Sequence, residues 1–400
     1  MIATGELKDK WGIELTALVL ACKVFLGTAQ EEELAVFFEQ HTIDMPLLVR
    51  IAAAHHIRPI LNRAVANIKS DDAARQQLQA DCRGIALKNF EQYKEFLRLN
   101  SLFVQKRISV VPYKGSSYCL QFYGDLSLRE SSDLDFLMQV SMEDLEALEG
   151  LFKEQGYANL SEVPANFKVY YFEHVREFKF AKFEGGQRKF LAEFHVSLND
   201  AVFETTKPIQ NAYLFADLQQ QDMNGQMIRA LSPTKHVIAM LSHHGVKEQW
   251  TSLKNLVDIA MAIKNSTDVE WDTIADAAHK YGFTRTLDIG LSMINDLLGI
   301  EPPVAMDTKT ETAPWMNKLF ARHTYTTNRS WQYNFSLKLI SKDKAVDKAR
   351  TLLNHLLYAG RPSALDYKFV ALPQPLFFLY VLVKPIRKLV KRNNRSVRDK

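Results

Sequence analysis

Three carboxylates near the middle of the chain have the type and spacing for phosphoryl chemistry. Asp133-Leu134-Asp135-Phe136-Leu137-Met138 reads as a strand. Strand side chains alternate, so Asp133 and Asp135 share one face, about 6–7 Å apart at their backbones, while Leu134, Phe136 and Met138 can bury on the other. Two carboxylates held side by side repel, and a hard divalent cation such as Mg²⁺ removes that cost. A second alternating run, Leu191-Ala192-Glu193-Phe194-His195, places Glu193 and His195 on one face, with Phe194 and Val196 on the other. Three carboxylates on neighbouring strands suit a two-metal phosphoryl-transfer site, in which ions about 3.5–4 Å apart clamp the attacking and leaving oxygens. Ahead of them, Lys114-Gly115-Ser116-Ser117 follows a short β-branched run. A Gly-Ser turn lets backbone N–H groups and a hydroxyl approach phosphate oxygens. Lys114 and Arg129 bring cations to the same neighbourhood; Arg129 suits phosphate contact, or a plain pairing with Asp125 or Glu130.

Other chemistries find less support. There is no GxxxxGK[ST] phosphate loop, no GxGxxG between strand and helix, and no GxSxG nucleophile setting. Cys22, Cys82 and Cys119 are far apart and form no CxxC, which excludes a cysteine zinc site and a disulfide framework and fits a reducing cytosol. His243-His244 sits on a helix with no third ligand at metal spacing, and reads as core or pocket lining. Asp258 follows Lys254 by four residues, the spacing of a surface ion pair worth roughly a few tenths of a kcal/mol. Trp250 and Leu253 read as helix packing, and Phe172, Phe178 and Phe180 as core.

The elements that must position the acids form a small α/β unit over about 108–205. Strands are expected at 108–113 and 133–138, and at 172–183 and 189–196 around the hairpin signal Glu184-Gly185-Gly186-Gln187. Ser141 to Asp144 has capping-box spacing, and Gly156 closes the helix it opens. Residues 1–107 read as helices, one capped by Asp44 and a long one over about 73–103. Residues 206–300 are again helical: one helix from Ser232-Pro233 to about Val246, then 252–263, 268–282 and 284–299. Residues 301–315 are Pro/Thr-rich and read as a linker or long loop, and 343–358 as a helix within a C-terminal helical region, 301–400. The fold class is therefore α+β: a small mixed-sheet core flanked by N- and C-terminal helices.

With 400 residues, 47% apolar and 24% charged, the chain has the composition of a soluble globular protein, not a disordered or fibrous one. It carries no internal repeat. The net charge of +4 is unevenly placed: the last seventeen residues hold eight Lys/Arg against one acid, +7, and the rest sums to −3. The body is thus no evident polyanion binder, and no sequence-specific DNA binding is expected. The first residues lack the basic-then-apolar order of a signal peptide. The apolar run 369–383 is shorter than the roughly twenty residues a membrane span needs. With the basic residues that follow, it reads either as a helix packed on the body or as an interfacial segment, 369–395, held by apolar insertion and anionic headgroups. The expected location is cytoplasmic, with peripheral contact at the inner membrane face in the second case.

The segment Tyr113-Lys114-Gly115-Ser116-Ser117, with Tyr123-Gly124, Arg129 and Asp133-Leu134-Asp135, resembles the signature of the polymerase-beta-like nucleotidyltransferases. More narrowly, it resembles the bacterial family of uncharacterised nucleotidyltransferases, which adds a later Glu-x-His strand and a His…Trp…Leu…Asp series, here His244, Trp250, Leu253 and Asp258. Ala54-His55-His56-Ile57-Arg58-Pro59-Ile60-Leu61 resembles the family's helix end ahead of the core, so the resemblance covers about 15–265. It implies metal-dependent transfer of a nucleoside monophosphate from an NTP, with pyrophosphate leaving. Asp133, Asp135 and Glu193 would hold Mg²⁺ or Mn²⁺, and Glu193 would help the acceptor lose its proton. Lys114, Gly115 and Ser116 would hold the triphosphate and Arg129 the leaving phosphates. His195, His244, Lys254 and Asp258 would support the ligands or line the substrate pocket. The acceptor stays open among a small molecule, a protein hydroxyl and an RNA end, toxin-like members of toxin–antitoxin pairs included. A non-catalytic nucleotide-binding or scaffold protein on the same fold is the alternative.

Overall fold

Alternating aromatic and polar residues build the sheet on which the acids sit. In the computed structural model, which describes residues 1–68, 72–139, 141–161, 163–174, 177–198, 209–223, 225–307, 310–321 and 331–398, five strands form it: β1 (Val110–Pro112), β2 (Leu134–Met138), β3 (Tyr157–Asn159), β4 (Glu177–Glu184) and β5 (Gln187–His195). Their order is β1-β2-β5-β4-β3, with β2 parallel to β5 and the other pairs antiparallel. The fold is α+β with a mixed sheet and flanking helices, as the sequence implies. Gly185 and Gly186 turn the β4–β5 hairpin at φ 57° and 79°, a backbone region that favours glycine. One face of the sheet is aromatic. Phe136 and Phe194 stack across β2 and β5 with centroids 5.0 Å apart. Phe103, from the 35-residue helix Asp72–Lys106, and Phe152, from the helix Met142–Glu154, close edge-on over Phe194. This packing fixes the sheet's other face as the polar one.

Local signals explain several helix ends. Asp44 accepts a bond from the Leu47 amide, 2.8 Å, to start Met45–Ala54. Ser141 and Asp144 form the capping box of Met142–Glu154. Gly282 and Gly299, both left-handed, end Trp271–Tyr281 and Thr284–Leu298. One buried cluster runs from Leu7 to Leu337 and joins the N-terminal helices, the sheet and the helices after residue 230.

Four expectations need correction. The 172–183 strand begins only at Glu177; Lys168–His174 is a helix, in which Phe172 still packs on the core. Within the region read as wholly helical lies a hairpin, β6 (Gln219–Met223) and β7 (Gln226–Ala230). The helix from Pro233 stops at Leu241 and continues as a π-helical segment, Ser242–Lys247. The stretch 301–315, read as a linker or long loop, is loop only up to the helix Ala313–Phe320, which buries Trp315, and it is anchored, with Val304 and Met306 packed on the core. The helix expected at 343–358 is Ala345–Gly360.

Past it, Gln374–Leu379 and the helix Tyr380–Arg398 dock by one side on a separate small cluster of Phe167, Tyr367 and Tyr380. Among the described residues no helix is long and apolar enough to cross a membrane.

Candidate functional site

The parallel pairing of β2 with β5 and the antiparallel hairpin β4–β5 set three side chains in a row on the sheet's polar face: Asp135 beside Glu193 beside Lys179. Lys179 Nζ lies 2.6 Å from Glu193 Oε1 and 2.5 Å from Glu177. Lys114, in the loop after β1, reaches over to Asp135 Oδ1 at 2.7 Å. His195 Nε2 lies 3.1 Å from the same oxygen. Asp133 stands just ahead of β2, half-buried.

These groups are unevenly neutralised. Burial opposes charge on Asp135, but the Lys114 ammonium and the His195 hydrogen bond hold its carboxyl well below the usual carboxylate range. Asp133 goes the other way: burial, and then the charge of Asp135, push it up to about 6. Burial lowers the pKa of His195, so the imidazole is neutral and bonds the carboxylate only as an Nε2–H donor. Lys179 is raised to about 12, because its bonds to Glu177 and Glu193 outweigh burial.

Gly115 opens the helix Gly115–Phe122 at φ 56°, where a side chain would be strained. First-turn amides have no partner within their own helix, so this turn offers N–H groups to an anion. Lys114 and Gly115 line a cleft of about 760 Å³ together with Asp133, Asp135 and Glu193. Ser116 is half-buried in the first turn and is not among the lining residues. Lys88, Arg58, Asp81 and Glu130 border the cleft on one side, and His243, His244, Lys247, Glu248 and Lys254 on the other.

Two sequence pairings do not form. Arg129 turns to neither Asp125 nor Glu130. Its Nε and Nη2 each lie 2.8 Å from a carboxylate oxygen of Asp258, in the interior. Tyr123 Oη also donates to Asp258, at 2.7 Å, and His244 Nε2 lies 2.9 Å away. Asp258 is thus no surface partner of Lys254 but a fully buried anion held by an arginine fork. Arg129 still borders the cleft, with two of its nitrogens committed to that fork. Lys254 donates to the Glu130 carbonyl at 2.6 Å, and burial, with Arg129 beside it, pushes its pKa down to about 8.

The His243-His244 pair does acquire a third ligand-type neighbour, Glu248: the ligand atoms of these three residues lie within 4.8 Å of one another, as do those of Asp135, Glu193 and His195. Glu248 is nonetheless committed locally. It accepts from Asn255 at 2.7 Å, and its carboxyl is held at about 2 despite burial, chiefly by His244.

Sequence reasoning missed Lys179, Glu177 and Glu248. Lys179 was readable: Phe178 and Phe180 bury on one face, so Glu177 and Lys179 must share the other. Glu248 stands four residues after His244, but only the π-helical segment brings His243 to it as well.

That wall is held by Trp250. Gln249 and Trp250 both adopt left-handed φ, 57° and 54°, unusual for bulky residues. The Trp250 indole is buried, its Nε1 donates to the Thr286 carbonyl at 3.1 Å, and its ring lies against Gly245 and Gly290. A Cβ at Gly290 would stand 2.3 Å from the ring, and one at Gly245 2.9 Å from the ring and 2.5 Å from Thr286.

Comparison with known proteins bears on this geometry. No curated protein matches the chain. One solved structure, of an antigenic nucleotidyltransferase-like protein from Paracoccidioides brasiliensis, is 16% identical and covers 53% of this chain and 93% of its own. Its TM-score is 0.28, too low for any detail to be carried across. The family described as "uncharacterised nucleotidyltransferase" matches residues 41–299, a span that contains Lys114, Asp133, Asp135, Glu193, His244 and Asp258. That span is more than half of the sequence, and the chain belongs to the uncharacterised nucleotidyltransferase family.

Proposed function

We propose that this protein transfers a nucleoside monophosphate from an NTP to an acceptor hydroxyl or phosphate, releasing pyrophosphate. The observation that carries the reading is the Asp135–Glu193 pair, set side by side by the β2/β5 register at the base of a cleft that the Gly115 turn also lines. The fit to a divalent cation rests on charge and donor type. Burial, and then the charge of Asp135, push the Asp133 carboxyl up to about 6, a cost that a nearby cation relieves. Hard carboxylate oxygens are what Mg²⁺ and Mn²⁺ prefer. Held by Asp133, Asp135 and Glu193, such ions would supply Lewis-acid polarisation of the phosphate oxygens.

The chain's own groups account for the rest. The Gly115 amide faces the triphosphate, and Lys114, already charged beside Asp135, adds to its binding. Lys88, Lys247 and Lys254 line the same cleft and favour the pyrophosphate that leaves. The acceptor oxygen bonds to the α-phosphorus, and the bond to the β-phosphate bridging oxygen breaks with its electron pair. Glu193 takes the acceptor proton. His195 donates to Asp135 and fixes its carboxylate. Arg129 acts at one remove: by clamping Asp258 it sets the wall that carries His244 and Lys254.

The test is Mg²⁺-dependent NTP binding by calorimetry, all four NTPs, on wild type and on Asp133→Ala/Asp135→Ala. Binding that needs the metal and is lost in the double variant is expected. An α-labelled NTP incubated with cell extract should then label the acceptor. Wild type that is folded and binds no NTP overturns the reading; binding without label transfer assigns the fold to nucleotide binding alone.

A further inference from the structure

We propose that the C-terminal helices form a docking surface for an anionic lipid bilayer, built from two helices rather than from the terminal segment alone. Of the twenty-six large apolar side chains exposed among the described residues, seventeen fall between 340 and 390. The helix Tyr380–Arg398 and the 3₁₀ turn before it are two-sided. Phe377, Tyr380 and Val383 join the small cluster around Phe167 and Tyr367, and Arg387 Nε lies 2.7 Å from the buried Asp366 carboxylate. These residues recur every three or four positions, which makes them one helical face. The opposite face carries Phe378, Leu382, Ile386 and Leu389, of which Phe378, Leu382 and Leu389 are each more than 60% exposed. The helix Ala345–Gly360 packs beside it and adds Leu353, Leu356 and Leu357, all exposed. The Lys384 ammonium ties the two helices together, donating to the Tyr358 carbonyl at 3.2 Å.

Charge decides what covers this surface. The segment from Lys384 onward carries +7 on a body of −3. A second copy meeting the same face would set two such tails against each other, whereas acidic headgroups match them. Lysine and arginine beside an apolar strip can bury their stems and keep the charge at the headgroups. No described helix is both long and apolar enough to cross, so the contact is interfacial. Because the inner face is already docked through Tyr380 and Arg387, the outer face is presented as a preformed helix.

Flotation of the full-length chain with vesicles tests this. The protein should float with vesicles containing phosphatidylglycerol and stay behind with phosphatidylcholine alone, and high salt should release it. Lys388→Glu should lower partitioning on the order of tenfold, and Leu382→Glu/Leu389→Glu should abolish it. Both substitutions lie on exposed positions, and circular dichroism checks that each variant folds. A folded wild type that floats with neither vesicle overturns the proposal, as does unchanged flotation of the double variant. Concentration-dependent dimerisation lost in that variant, without vesicle binding, would assign the face to a second copy. NTP binding is read in solution, so failure here leaves the nucleotide site untouched.

Discussion

Asp258, behind one wall of the cleft, and Asp133, at its base, are both carboxylates drawn largely out of water, and their surroundings differ in kind. Asp258 receives two arginine N–H groups and a tyrosine hydroxyl and meets His244, and one cation balances one anion. Asp133 faces Asp135 and Glu193, with Lys114 already spent on Asp135 and Lys179 on Glu193. A buried charge that is fully partnered holds structure in place. A surplus of like charge on a rigid sheet costs stability and is kept where a ligand repays it. The two regions share a cleft: one fixes its wall, and the other carries the uncompensated charge on which the proposed cation site rests.

Substitutions should separate them. The largest effect is expected at Asp258→Ala, which leaves the Arg129 guanidinium buried and unpaired; it should cost about 3–5 kcal/mol in urea denaturation. A loss under about 1 kcal/mol would mean that the fork is not structural. Asp133→Asn should act in the opposite sense, raising stability at neutral pH by about 1–2 kcal/mol, discounted for partial exposure, while removing metal-dependent NTP binding. The pH dependence carries the sign. The folded carboxyl titrates at about 6, against 3.8 for an ordinary aspartate, so the native state holds the proton more tightly between these pH values. Wild-type stability should therefore fall as pH rises from about 4 to about 6 and level off above, and the Asn variant should lack that component. The smallest effect is expected at Lys254, lowered from 10.5 to about 8. Here the unfolded chain binds more protons across that window, so stability should rise with pH from about 8 to about 10.5, and Lys254→Met should flatten the rise.

The same division explains what could be read from sequence. Asp133, Asp135 and Glu193 were legible because strand alternation is a local rule, and Leu134, Phe136 and Phe194 show which face is buried. Gly282 and Gly299 announced their helix ends in the same local way. The Arg129–Asp258 fork was not legible: its members lie 129 residues apart, and a lysine four residues before Asp258 offered a nearer and wrong partner. Phe172 was drawn into a strand by the aromatic stripe it continues, although its helix packs it, half-buried, against the same core. The β6–β7 hairpin did leave a signal, Asn224-Gly225, between two polar strands whose weak apolar alternation hides them.

The Trp250 packing sets a limit on how this sequence can vary. Gly245 and Gly290 lie outside the cleft lining, although Gly245 directly follows His244. Yet a single methyl group at either would displace the indole that follows the His243–Glu248 segment. A saturation library at these two positions should tolerate as little as one at Asp135. Remoteness from the chemistry is then a poor guide to which residues an enzyme engineer is free to change.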